Sequence, residues 1–183
     1  MSSTSLVFFD SSGLATIGIT YQNSWAGAAR IWGDLFDRHC KDPNLPFDNW
    51  MSSSGNGDRR LWDLAKDSRL GMYARAVHAF TFNNAIVRRE HFANLASDLR
   101  RFTVEYHSKP GHVDHLPAWA EAIEACDGIA VALHATTVSE NPWFNWDEGS
   151  EEYSPYCLET GTKHWEVYDA LADGGHLNLP VPS

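Results

Sequence analysis

LVFFDSSGLATIGITYQNSWAGAARIWGDLFDRHC, residues 6–40, carries two hydrophobic periods in succession. LVFFD and ATIGITY are rich in β-branched and aromatic residues, and SSG between them is a short turn-forming linker, so the stretch predicts a β-hairpin. Ser24 then stands as an N-cap, after which Trp25, Ala28, Ala29, Trp32, Leu35 and Phe36 fall at helical spacing. His39 continues that stripe, and Arg30, Asp34, Asp37 and Arg38 are expected on the opposite, polar face.

A hairpin that feeds an amphipathic helix is not the opening of a doubly wound sheet, which needs regular βα units. Working outward, KDPNLPFDNWMSSSGNGD (41–58) reads as a long loop, its first half pinned by Leu45, Phe47 and Trp50 and its SSSGNG part loose. RRLWDLAKDSRL predicts a short helix. In MYARAVHAFTFNNAIVRR, HAFTF reads as strand and Asn83-Asn84 as a break. EHFANLASDLRRFTVEY is a helix with Phe92, Leu95, Ala96, Leu99, Phe102 and Tyr106 on one face. HSKPGH ends it, and a further helix runs from about Pro117 to Cys126 with Gly128 at its exit. IAVALHATTV reads as a buried strand. PWFNW, PYCLE and KHWEVY read as strand-like pieces, ETGTK as a turn, and 174–183 as a loose tail. The expectation is an α+β fold in a single compact domain over 1–183: an N-terminal β-hairpin and a C-terminal β-rich meander packed with several amphipathic helices. No strand–glycine-rich loop–helix unit is present, which excludes dinucleotide and P-loop readings.

A chain of 183 residues fits one domain and can bury about 70% of its unfolded surface without staples. Cys40, Cys126 and Cys157 are odd in number and far apart, so they predict reduced thiols rather than a disulfide framework or zinc ribbon. The N-terminus has neither a basic region nor a long apolar run, and the expected protein is soluble and cytoplasmic, with no membrane contact.

The net charge of −10 hides a split. Residues 110–183 hold a single base, Lys163, against 13 acids, whereas 1–109 hold 13 bases and 11 acids. An acidic third repels nucleic acid and attracts basic surfaces. Arginine pairs at Arg59-Arg60, Arg88-Arg89 and Arg100-Arg101 lie in a modestly basic stretch. That excess is weaker than direct nucleic-acid binders show, and it fits docking against the acidic third of the same chain.

The acidic third contains ENPWFNWDEGSEEYSPYC, residues 140–157. Asp147, Glu148, Glu151 and Glu152 surround Gly149-Ser150 at an expected hairpin tip, flanked by Trp143, Phe144, Trp146, Tyr153 and Tyr156. Like charges this close give nothing to folding. Aromatic anchors ringed by charge are what protein-binding hot spots look like. Trp143, Trp146, Asp147, Glu148, Glu151, Glu152 and Tyr153 are therefore the candidate partner-binding residues.

The candidate chemistry lies in HSKPGHVDHLP, which brings His107, His112, Asp114 and His115 within nine residues, donors that suit a transition metal. The competing role for Asp114 is capping the helix that follows. His134 sits inside an apolar strand, where an unpaired polar group is costly. Cys157 and His164 flank the ETGTK turn and could pair, but no nucleophile signature surrounds them.

The expected function is thus a non-enzymatic acidic binding protein that engages a basic protein surface and needs no cofactor. A special case is an inhibitor of a nucleic-acid-acting machine, the class that includes immunity proteins and phage anti-defence proteins of the anti-CRISPR type. The alternatives are a small metal-dependent hydrolase built on His107, His112, Asp114 and His115, and a carbohydrate-binding module using the same aromatics and carboxylates.

Overall fold

The computed structural model describes residues 3–22, 27–45, 47–51, 59–106, 114–135 and 141–173. Ser24, Trp25, SSSGNG and the tail from 174 lie outside them, as do His107 and His112. Strand β1 (Ser3–Phe9) pairs antiparallel with β2 (Ala15–Gln22), as the opening stretch predicts. The turn is tied by the Asp10 carboxylate, which accepts the Ser12 and Leu14 amides, and Gly13 takes the left-handed backbone (φ 77°) that glycine adopts freely. The other edge of β1 takes β4 (Ala130–Ala135), with Leu6 opposite Leu133. Strand β3 (Ala85–Arg88) runs antiparallel to β4, and β7 (Trp165–Glu166) adds parallel to β3. The sheet order is β2-β1-β4-β3-β7. All six residues of β4 are buried, which is why its sequence is apolar at every position but His134 rather than alternating.

Alternation along the paired strands sorts the two faces of the sheet. Leu6, Val87, Val131 and Leu133 meet the helices α1 (Ala28–His39), α3 (Met72–Phe80), α4 (Phe92–Glu105) and α5 (Leu116–Ala125), with the short α2 (Arg59–Asp63) and α6 (Val167–Ala172) completing that layer. Val7, Phe9, Ile86, Ala130 and Ala132 face the other way and are covered by Trp143 and Tyr156. The result is a single α+β domain with a mixed five-stranded sheet between a helical layer and the C-terminal segment. Gly128 lets that segment's neighbour pass closely: a Cβ there would meet the Phe9 carbonyl oxygen at 2.4 Å.

Four local expectations are corrected. HAFTF is not a strand: His78, Ala79 and Phe80 end helix α3, and the chain turns through Thr81 and Phe82 to Asn84, whose left-handed φ of 62° supplies the break. Eight consecutive residues of α3, Tyr73 to Phe80, are buried, so the helix has no polar face to betray its period. Arg30 does not lie on the polar face of α1. It is buried and paired with Asp34 and with Asp114, whose carboxylate also accepts the Leu116 amide at the start of α5. In the 41–51 loop Leu45 and Phe47 are exposed, Phe47 to 86%. Of the three expected anchors only Trp50 holds the loop, edge-on to Trp32 at 5.2 Å, joined by Asp48, which forks onto the Arg60 guanidinium at 2.7 and 3.1 Å. The strand-like pieces are shorter than expected: PYCLE supplies only the last residue of β6 (Glu152–Pro155) and an isolated bridge from Cys157 to Leu14 before it turns, and KHWEVY supplies the two-residue β7 running straight into α6.

His78 gives the domain an acid-sensitive element. It is fully buried against Trp62 and Phe82, neither ring nitrogen has a hydrogen-bond partner among the described residues, and burial alone holds its pKa down at about 3. A histidine depressed in the folded state is protonated first in the unfolded chain. Its contribution to stability is therefore complete above about pH 6.5 and is lost as pH falls from there toward 3. His78→Leu is expected to remove up to about 1.4 kcal/mol per pH unit from the slope of stability in that window. Urea unfolding at pH 7, 6 and 5 checks this, and equal slopes in both proteins would refute it.

Candidate functional site

Phe144–Asp147 (β5) and Glu152–Pro155 (β6) form a separate two-stranded hairpin, paired Phe144–Pro155, Asn145–Ser154, Trp146–Tyr153 and Asp147–Glu152. Directly opposed residues share a face. One face of the ribbon therefore carries Phe144, Trp146, Tyr153 and Pro155, and the other carries Asn145, Asp147, Glu152 and Ser154. The aromatic face is continuous with the core at its base, where Phe144 packs against the cluster around Phe9 and Trp143. Toward the tip it is open: Trp146 is 52% and Tyr153 66% exposed, their rings meeting edge-on at 4.8 Å.

The tip places Glu148, Gly149, Ser150 and Glu151 between the strands. Asp147 accepts the Gly149 and Ser150 amides at 2.7 and 3.3 Å, so one of the four carboxylates has a turn-forming task. Asp147 and Glu152 oppose each other across the strands, and Glu151 takes a left-handed φ of 53°. Like-charge opposition and a left-handed non-glycine residue each work against the hairpin.

Six of the seven candidate partner-binding residues, Trp146, Asp147, Glu148, Glu151, Glu152 and Tyr153, thus lie together on this exposed ribbon. Trp143 does not. It is fully buried, edge-on to Phe9 at 5.3 Å and to Tyr156 at 5.6 Å, and its indole N–H donates to the Leu133 carbonyl at 3.2 Å. Its place is the foot of the hairpin, in the turn that precedes β5.

Two members of the histidine cluster are occupied elsewhere. Asp114 pairs with Arg30 and caps α5, and His115 stacks on Tyr21 at 4.2 Å, its pKa lowered by burial. Cys157 and His164 do not pair. Tyr156 Oη meets His164 Nδ1 at 3.0 Å, while backbone N–H groups of Thr160 and Glu159 lower the Cys157 pKa. His134 is buried with its pKa lowered by burial. The arginines largely serve the fold: Arg100 forks onto Glu124 with two 2.6 Å bonds, and Arg89 donates to the Asp127 and Gly128 carbonyls. Basic stretch and acidic third therefore do meet within the chain.

A different group of potential metal donors converges where β3 meets β7. His91, Glu166 and Asp169 each offer one ligand atom, and these atoms lie within 4.8 Å of one another. Only the long-range pairing of Ile86 with Glu166 brings His91 to the other two, so no local spacing announced the trio. Among the described residues no helix is long and apolar enough to cross a membrane. Comparison with known proteins gave no match: no family model, curated protein or solved structure is similar to this chain.

Proposed function

We propose that this chain is a non-enzymatic binding protein whose β5–β6 hairpin engages a basic surface on another protein. The observation that carries this reading is the exposed Trp146–Tyr153 pair set beside Asp147, Glu148, Glu151 and Glu152 on one projecting ribbon. An aromatic pair supplies rigid contact area on one face of the ribbon, and the carboxylates of its tip and opposite face complement lysine and arginine on a partner. The left-handed Glu151 and the Asp147–Glu152 opposition support the same reading, because sequences that break local rules do so most often at working sites. Basic protein surfaces commonly exist to hold nucleic acid. An inhibitor of a nucleic-acid-acting machine, in the manner of immunity or anti-defence proteins, is the special case this charge favours.

The test compares wild type with the variant carrying Asp147→Asn, Glu148→Gln, Glu151→Gln and Glu152→Gln, first in affinity capture from host lysate and then in association kinetics. The variant is expected to associate about 10- to 100-fold more slowly at low salt and to lose most of the salt dependence. A captured partner that binds both proteins at the same rate would remove the hairpin from the interface. If oligosaccharides quench the tryptophan fluorescence through Trp146, and no protein is captured, the carbohydrate-binding alternative takes its place.

A further inference from the structure

We infer that His91, Glu166 and Asp169 form a binding site for a divalent cation of the Zn2+ type. The inference does not rest on the hairpin. Glu166 ends β7 and precedes α6, and its side chain is only 6% exposed. One carboxylate oxygen lies 3.2 Å from His91 Nδ1 and accepts the Arg88 amide, and the other accepts the Asp169 amide at 2.7 Å. Asp169, one helical turn along, stands on the solvent side.

The charge arithmetic at this point is one-sided. Two carboxylates and an imidazole nitrogen converge, and among the described residues neither carboxylate pairs with a lysine or arginine. A nitrogen lone pair and a carboxylate oxygen 3.2 Å apart repel unless a proton or a cation lies between them, and one proton answers only one of the two carboxylates. A divalent ion answers all three groups. Metal–nitrogen and metal–oxygen bonds of about 2.1 Å set neighbouring donors about 3–4 Å apart, so donors within 4.8 Å close onto one ion by small side-chain rotations.

The donor set also selects the ion. Imidazole favours borderline metals over Ca2+ and Mg2+, and two carboxylates with one imidazole leave a fourth, solvent-facing position for water. The surroundings suit an outer shell. Tyr168 lies 4.9 Å from the His91 ring and donates to Asp98 at 2.7 Å, which fixes the wall behind the imidazole. The ion would tie α6 to the connection between β3 and α4.

The experiment uses the full chain without a polyhistidine tag, stripped with chelator and titrated with ZnCl2 by calorimetry, with melting temperature read in parallel. One equivalent is expected to bind, and the melting temperature is expected to rise by about 5–10 °C when free Zn2+ is 100 times the dissociation constant. His91→Ala and Asp169→Asn, neither of which removes a core side chain, are each expected to weaken binding at least 10-fold while melting like the stripped wild type. His112→Ala and His115→Ala are expected to bind as wild type does. No zinc binding at 100 µM, or binding unchanged by both His91→Ala and Asp169→Asn, would overturn the assignment, as would loss of binding only in the His112 and His115 variants.

Discussion

Trp143→Ala is expected to be the most damaging single substitution in the C-terminal third, lowering unfolding stability by about 3–5 kcal/mol. The indole fills the second core between the sheet and the segment that covers it, touching Phe9 and Tyr156 edge-on, and its N–H satisfies the Leu133 carbonyl. Truncation removes the largest side chain of that cluster and takes a hydrogen-bond donor away from a buried carbonyl. In a domain of this size the melting temperature should fall by roughly 6–20 °C. Trp146→Ala, three residues on, should cost under about 1 kcal/mol, because that ring is half in solvent already. Urea unfolding followed by circular dichroism separates the two. Equal costs would mean that Trp143 does not anchor the hairpin.

Arg30→Met is expected to cost about 3–5 kcal/mol for a different reason. The guanidinium sits between Asp34 of α1 and Asp114 at the head of α5, and its side chain is 6% exposed. Methionine preserves much of the volume, so the loss reports the charge. Two largely buried carboxylates are left facing the place a cation held, and uncompensated buried charge is among the most destabilising changes a core can suffer. Adding Asp114→Asn should restore a substantial part, giving a coupling energy of at least about 1 kcal/mol in a double-mutant cycle. Strict additivity of the two substitutions would show that the pair does not join the helices.

Arg30 also marks the limit of what the amino-acid pattern discloses. Helix α1 was legible because its apolar residues contrast with polar neighbours, but a pattern of residue types counts every arginine as surface. Asp34 one turn along and the distant Asp114 together compensate this one inside. HAFTF misled for the opposite reason, since α3 is buried on every side and its alanines and aromatics carry no contrast at all. The hairpin tip was readable from Gly149-Ser150 between aromatic-rich runs, and so was the acidic cluster around it. Which aromatics lie inward was not readable, because it depends on where the chain leaves the core at Trp143. His91, Glu166 and Asp169 were out of reach altogether: a parallel strand pair of two residues brings them together across the sequence.

The position of β1 in the sheet bears on how the protein is made. Its residues leave the ribosome well before those of β4, and β2 can cover one edge at once. The partner for its other edge is β4, with Phe9 opposite Ala130, so roughly 120 further residues must be synthesised first. At typical elongation rates of about 5–20 residues per second, Leu6, Val7 and Phe9 wait on the order of 6–25 s with an open strand edge. Nascent chains halted before residue 130 should therefore be held by chaperones, and those released beyond the hairpin should not.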